Sequence, residues 1–274
     1  MSSLSYVRSR LNALAEIATF DNRWQLLAES LVGTKALRVY RLGGVEAVAD
    51  HRAGDHLGGI RAVLGSDEYR ALMNQIPVES VRSVLDLGAH IGSFVLLLKT
   101  LGAPLDRVLC VEPDPRSRQS LGYNLEHNGI AADIFEGAVS DNPGTVALHK
   151  GLLSTGSSLR SDCPNLGSDT IAVRAATFDT LTNQYFPQAV IDLCKMDVEG
   201  AEFDILLGQH AVTLDRCRYL LCEVHNQLGS QASLTAGLWR RGFALLPANG
   251  TRHPETILFR NEKFGQTGAL PSRN

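Results

Sequence analysis

Val84-Leu85-Asp86-Leu87 runs without interruption into Gly88-Ala89-His90-Ile91-Gly92-Ser93, and that turn opens directly onto the apolar run Phe94-Val95-Leu96-Leu97-Leu98. An apolar strand, a glycine turn and a helix in this order form the first half of a parallel crossover. The rhythm then continues. Arg107–Val111 reads as a strand, and Asp114 caps a helix with Pro115 at its first position, which Asn128-Gly129 terminates. Further strands are predicted near 133–135, 145–149, 171–174, 191–196, 219–224, 243–246 and 256–259, with helices near 201–207 and 234–241. Strands alternating with helices specify an α/β chain with a mostly parallel sheet covered on both faces. In such sheets ligands bind at the C-terminal strand ends, where the strand order reverses.

Before residue 81 the pattern differs. Leu4, Val7, Leu11, Leu14 and Ala18 line one helical face, Asp21-Asn22 offers a break and an N-cap, and Trp24, Leu27, Ala28 and Leu31 resume the stripe. Residues 36–50 read as a hairpin turning at Gly43-Gly44, and a helix is predicted from about 57 to 75, closed by Pro77. The expected division is 1–76 as a helical and hairpin extension serving as a lid or homodimer contact, 77–264 as the main domain, and 265–274 as a frayed tail.

Twenty-six basic against 29 acidic residues give a net charge of −3, with no dense Lys/Arg block. Nucleic-acid binders gather basic patches, because phosphate neutralisation supplies much of their affinity, so the expected partner is a small molecule and not a nucleic acid. No apolar run approaches the roughly 20 residues a membrane span needs, and the N-terminus carries no apolar stretch of signal-peptide length. The expectation is a soluble cytoplasmic protein without a membrane partner. Five cysteines without a Cys-x-x-Cys pair argue against a disulfide framework or structural zinc.

Twenty residues beyond Gly92, Glu112 ends the second strand in Cys110-Val111-Glu112-Pro113-Asp114. A carboxylate there can accept both hydroxyls of a ribose. A dinucleotide fingerprint requires Gly-x-Gly-x-x-Gly, whereas Gly88-x-x-x-Gly92 lacks the middle glycine, and Asp86 would repel a phosphate. The acidic turn suits S-adenosylmethionine, whose sulfonium and ammonium are both positive. The alternatives are an ordinary strand-to-helix turn or a dehydrogenase. The Asp-x-Gly-x-x-x-Gly arrangement resembles the first motif of Rossmann-like (class I) methyltransferases.

Lys195-Met196-Asp197-Val198-Glu199-Gly200-Ala201-Glu202, preceded by Ile191-Asp192-Leu193, resembles the signature of the FkbM family of methyltransferases. Cys222-Glu223-Val224-His225, Ala138-Val139-Ser140-Asp141 with Gly144, Thr177-Phe178-Asp179 and Gly156-Ser157-Ser158-Leu159 are similar to further elements of that family. The resemblance covers roughly residues 81–260. It implies a seven-stranded Rossmann-like domain and S-adenosylmethionine-dependent methyl transfer, mostly onto hydroxyls of natural products and sugars, as in secondary metabolism. The cofactor residues are then Asp86, Gly88, Ala89, His90, Gly92, Ser93, Glu112, Pro113, Ala138 and Asp197. Alternatives are methylation of RNA or protein, and a cofactor-binding module without catalysis.

Period-two alternation places Ile191, Leu193, Lys195 and Asp197 on one face of their strand and Tyr219, Leu221, Glu223 and His225 on one face of the next. Strands buried on both faces should be apolar throughout, so four ionisable groups near the strand ends mark the catalytic candidates His225, Asp197, Lys195 and Glu223. A Lys195–Glu223 pair is expected as support. His225, with an ordinary pKa of about 6.5, is the expected general base, oriented by Asp197, although the two roles are exchangeable and the cluster could only fix loops. Ser157, Ser158, Glu199 and His225 are candidates for acceptor binding. Ser157 and Ser158 equally suit a plain turn, and Glu199 and Glu202 the start of a helix, where negative charge is favoured. The remaining histidines sit in predicted loops or on helix surfaces. No repeated ligand spacing points to a metal, so none is expected.

Overall fold

Strand order, rather than strand count, places the functional cleft. The computed structural model describes residues 14–32, 37–50, 56–65, 67–152, 156–247 and 255–265. Its central sheet contains β3 (Ser83–Leu87), β4 (Arg107–Val111), β5 (Asp133–Phe135), β9 (Ile191–Met196), β10 (Cys217–Glu223), β11 (Phe243–Leu245) and β12 (Thr256–Asn261), in the order β11-β12-β10-β9-β3-β4-β5. Only β12 runs against its neighbours. The chain moves outward from β3 through β4 to β5 and then returns to β9 on the other side of β3. The crevice therefore opens where the C-terminal ends of β3 and β9 diverge. The class and the seven strands agree with the sequence reading.

The two strands predicted near 145–149 and 171–174 leave this sheet. β7 (Gly144–Gly151) and β8 (Leu166–Ala176) form an antiparallel pair that, with β6 (Ala138–Val139), makes a separate three-stranded sheet. A helix over Phe178–Tyr185, capped by Thr177, was not foreseen in the sequence. Its Asp179 carboxylate accepts the backbone N–H groups of Val212 and Thr213.

Residues 14–18 and α1 (Arg23–Val32) are helical, but the buried stripe differs from the periodic one. Ile17, Phe20 and Leu26 are buried, whereas Leu14 is exposed and Trp24 is 75% exposed. The phase does not carry across the break at 19–22, so a stripe fitted through both segments selects the wrong residues. The break lies directly before α1, and the Asn22 carbonyl accepts the Leu26 amide in its first turn. Asn22 donates to the carbonyl of Val39 and accepts from the amide of Arg41, and Asp21 accepts from Gly43, so both clamp the hairpin β1 (Leu37–Leu42)–β2 (Val45–Asp50). The positions expected at Leu4, Val7 and Leu11, and the tail beyond Gly265, lie outside the described residues.

The single helix expected over 57–75 is two, α2 (His56–Val63) and α3 (Asp67–Met73). Gly65 between them lies so close to the Phe20 ring that an added Cβ would stand 2.8 Å from it. After β3 come α4 (Ser93–Thr100) and α5 (Pro115–His127), the latter capped by Asp114. The free edge of β2 is covered by side chains of the last turn and C-cap of α5. Asn124 accepts from the amide of Val48 and donates to its carbonyl, and Asn128 does the same for Glu46. One residue type four positions apart thus stands in for a missing strand.

Alternation along the strands splits the interior. Val84, Leu193, Leu221 and Leu258 pack with α4, α5 and the N-terminal residues Ile17, Phe20, Leu26, Ile60, Leu72 and Met73. Leu85, Cys194, Leu220 and Phe259 pack against the opposite helices. The N-terminal segment therefore closes one face of the sheet. All five cysteines are buried free thiols, and among the described residues no helix is long and apolar enough to cross a membrane.

Candidate active site

Gly88 follows β3 at φ +77°, and a Cβ there would lie 1.8 Å from the carbonyl oxygen of Asp197. Only glycine allows the turn after β3 to pass so close to the turn after β9. His90 in the same turn and Glu199 after β9 have φ of 51° without being glycines, a conformation that carries strain and concentrates at functional sites.

These turns frame a cavity of about 370 Å³. Its wall brings together Gly88, Ala89, His90, Ser93, Glu112, Pro113, Ala138, Asp197, Lys195, Glu199, Glu223 and Ser157. Glu112 is buried, and its two oxygens accept the amides of His90 and Asp114, each at 2.8 Å. Burial pushes its carboxyl up to about 7, against the opposing pull of the His90 amide and the Lys195 charge.

Four positions fall elsewhere. Asp86 is fully buried behind the wall, where Lys195 Nζ stands 3.6 Å from it. Gly92 is the left-handed N-cap of α4 and faces Leu121. Ser158 is buried and donates to the Glu199 carbonyl, a role in holding the loop. His225 stands behind Glu199, outside the cavity wall.

The expected Lys195–Glu223 pair does not form. Lys195 instead donates to Asp197 at 3.2 Å and to the Gly88 carbonyl at 3.1 Å, tying both turns together. Burial works against its charge, but Asp197 and Asp86 outweigh that and raise its pKa. Glu223 instead accepts from the Tyr69 hydroxyl at 3.3 Å. The Asp197 charge and burial push the Glu223 carboxyl up to about 8.

His225 is not oriented by Asp197. Its Nδ1 lies 3.1 Å from Glu202 Oε1 and its Nε2 3.1 Å from Glu199 Oε2. Burial of the ring opposes its charge, but the hydrogen bonds to Glu199 and Glu202 prevail and push its pKa up to about 11. The imidazolium form is thus the resting state, and the ordinary pKa assumed for a base does not apply. Glu202, expected merely to favour a helix start, is fully buried and also accepts the amides of Gly200 and His225.

A heteroatom from each of Asp197, Glu223 and His225 lies within 4.8 Å of the others. Two carboxylates and an imidazole have the composition of a cation site, but both ring nitrogens already face carboxylates. Tyr69, Glu255 and Thr256 also line the cavity, as do Gly59, Ala62 and Val63 of α2. The sequence carried no local signal for these, since they come from segments that meet the sheet only in the fold.

The donor set suits S-adenosylmethionine. The carboxyls of Glu112, Asp197, Glu199, Glu223 and Glu255 line the wall against the lysine Lys195, an acidic lining that becomes complementary to a sulfonium and an ammonium as its raised carboxyls Glu112, Glu199 and Glu223 ionise. Ser93 Oγ, buried at the start of α4 on that wall, has no hydrogen-bond partner among the described residues. It is available to a ligand.

A sheet with this order and a cleft bounded by a glycine turn and a strand-end glutamate defines a Rossmann-like methyltransferase. The model of the methyltransferase FkbM domain matches residues 86–250, and the chain belongs to that family. It is accordingly an S-adenosylmethionine-dependent methyltransferase. The chain is 25% identical over 189 residues to the methyltransferase sdnD of Sordaria araneosa, covering 58% of this chain and 73% of that protein. Among solved structures it is similar to the methyltransferase FkbM of Methylobacillus flagellatus, with 21% identity and a TM-score of 0.43 over 66% of this chain and 44% of that one. It is also similar to Aeropyrum pernix fibrillarin with natively bound S-adenosyl-L-methionine, with 13% identity and a TM-score of 0.38 over 83% and 84% of the two chains.

Proposed function

We propose that the chain methylates a hydroxyl group on a small molecule, a natural product or a sugar, and that the acceptor lies between the cofactor turn and the N-terminal helices. The observation carrying this reading is the position of Glu223, beside Asp197 on the cavity wall, with a carboxyl poised at about 8. Bound S-adenosylmethionine supplies an electrophilic methyl group, so the protein has to align an acceptor and remove its proton.

Glu223 is the group suited to that proton. A general base works best when its pKa lies near the working pH, and an alcohol is a poor nucleophile until deprotonated. Asp197 sets the basicity of Glu223 through its charge, while Lys195 holds Asp197 in place. His225 carries its proton and, through Glu199 and Glu202, holds the loop after β9 against the end of β10. Gly59, Ala62 and Val63 supply an apolar part of the wall.

The test is to delete the gene in its host and feed methyl-labelled methionine. The expected result is loss of one labelled small molecule whose label sits on oxygen, restored by the native gene and not by Glu223→Gln. Loss of label from RNA or protein instead would overturn the small-molecule assignment.

A further inference from the structure

Tyr69 lies on α3, upstream of the segment that matches the methyltransferase family, yet its hydroxyl is 3.3 Å from Glu223 Oε2 at the far end of β10. Its side chain is only 5% exposed. The ring packs on Phe94 in the first turn of α4, with centroids 6.0 Å apart, and it forms part of the cavity wall. A buried phenol seeks a partner for its hydroxyl, and this one is fixed at both ends, ring on the cofactor helix and oxygen on the carboxylate.

From this geometry we infer that Tyr69 is a positioning residue for Glu223: it holds Oε2, turns Oε1 toward the acceptor side, and makes the N-terminal segment part of the reaction centre. The inference rests on the reading of Glu223 as proton acceptor. A hydroxyl donating to a carboxylate stabilises the ionised form. Tyr69 thereby offsets the groups that oppose ionisation. Facing Glu223 are Asp197 and Lys195 from the end of β9 and Glu199 and His225 from the adjoining loops, while Glu255, just before β12, lines the same cavity. Of these, Asp197 and Glu199 raise the carboxyl's pKa, while Lys195 and His225 lower it.

The experiment needs no acceptor. Infrared spectra of the full-length protein recorded from pH 5 to 10 contain the band of the protonated Glu223 carboxyl, assigned by its loss in Glu223→Gln. In Tyr69→Phe, which keeps the ring on Phe94, the midpoint of that band should move up by about one pH unit, with the thermal midpoint within a few degrees of native. Replacing the six tyrosines by a fluorotyrosine strengthens the donor and should move the midpoint down. Midpoints that coincide in native and Tyr69→Phe proteins would overturn the role of Tyr69 alone. Absence of any Glu223 band at every pH would instead remove the poised base and, with it, both readings.

Discussion

Glu202 Oε1 receives the backbone amide of His225 at 2.7 Å and faces its Nδ1 at 3.1 Å. One buried carboxylate oxygen thus fixes both the chain and the ring of a residue 23 positions away in sequence. With Glu199 on Nε2, it holds the imidazole in its charged form.

Nitrogen-15 NMR of the imidazole should therefore show His225 doubly protonated from pH 6 to 9. Because its folded pKa is raised from 6.5 to about 11, its stabilising contribution is complete below pH 6.5 and fades as pH rises toward 11. Glu202→Gln should bring the titration back toward neutrality. A His225 that titrates near pH 6.5 in the native protein would contradict the charged resting state.

Glu112 should govern cofactor affinity. Each hydrogen bond to a charged group contributes about 1.5–3 kcal/mol, so Glu112→Ala should weaken S-adenosylmethionine binding tenfold or more in calorimetry without loss of fold. Ribose hydroxyls donate to the ionised carboxylate, and its pKa in the free protein is raised to about 7. Native binding should then tighten between pH 6 and 8 with release of a proton, and Glu112→Gln should abolish that dependence. In the free protein the same raised pKa favours the fold below about 4.5, and the contribution is lost as pH climbs through 7.

Lys195 and Asp86 form a pair shut off from water. Removing one partner of a buried pair costs about 3–5 kcal/mol, so Lys195→Met should lower stability by that order in urea titrations. Lys195→Met combined with Asp86→Asn should recover part of the loss. Additive losses in the double-mutant cycle would show the two groups to be uncoupled.

Gly88→Ala should be among the most damaging single-methyl changes. The new Cβ meets the Asp197 carbonyl, and the left-handed φ adds strain. A loss of about 2–4 kcal/mol is expected, together with loss of cofactor binding. Native-like binding by this variant would mean that the two turns separate easily.

Sequence alone determined the crossover rhythm, the glycine turn, the cap of α5 at Asp114 and the position of Glu112, because each depends on residues close together in the chain. Caps, turns and period-two alternation are local, and so they are legible without a fold. It also brought Lys195, Asp197, Glu223 and His225 to one end of the sheet, since parallel strands in register align their ends. Partnership within that end was decided by the tertiary structure. Lys195 turned from Glu223 to Asp86 and Asp197, His225 went to Glu199 and Glu202, and Glu223 went to Tyr69, which is 154 residues away. Charged side chains a few ångströms apart compete for the same partners, and the winner depends on rotamers, burial and distances that no linear pattern encodes. The charge state of His225 follows from that competition.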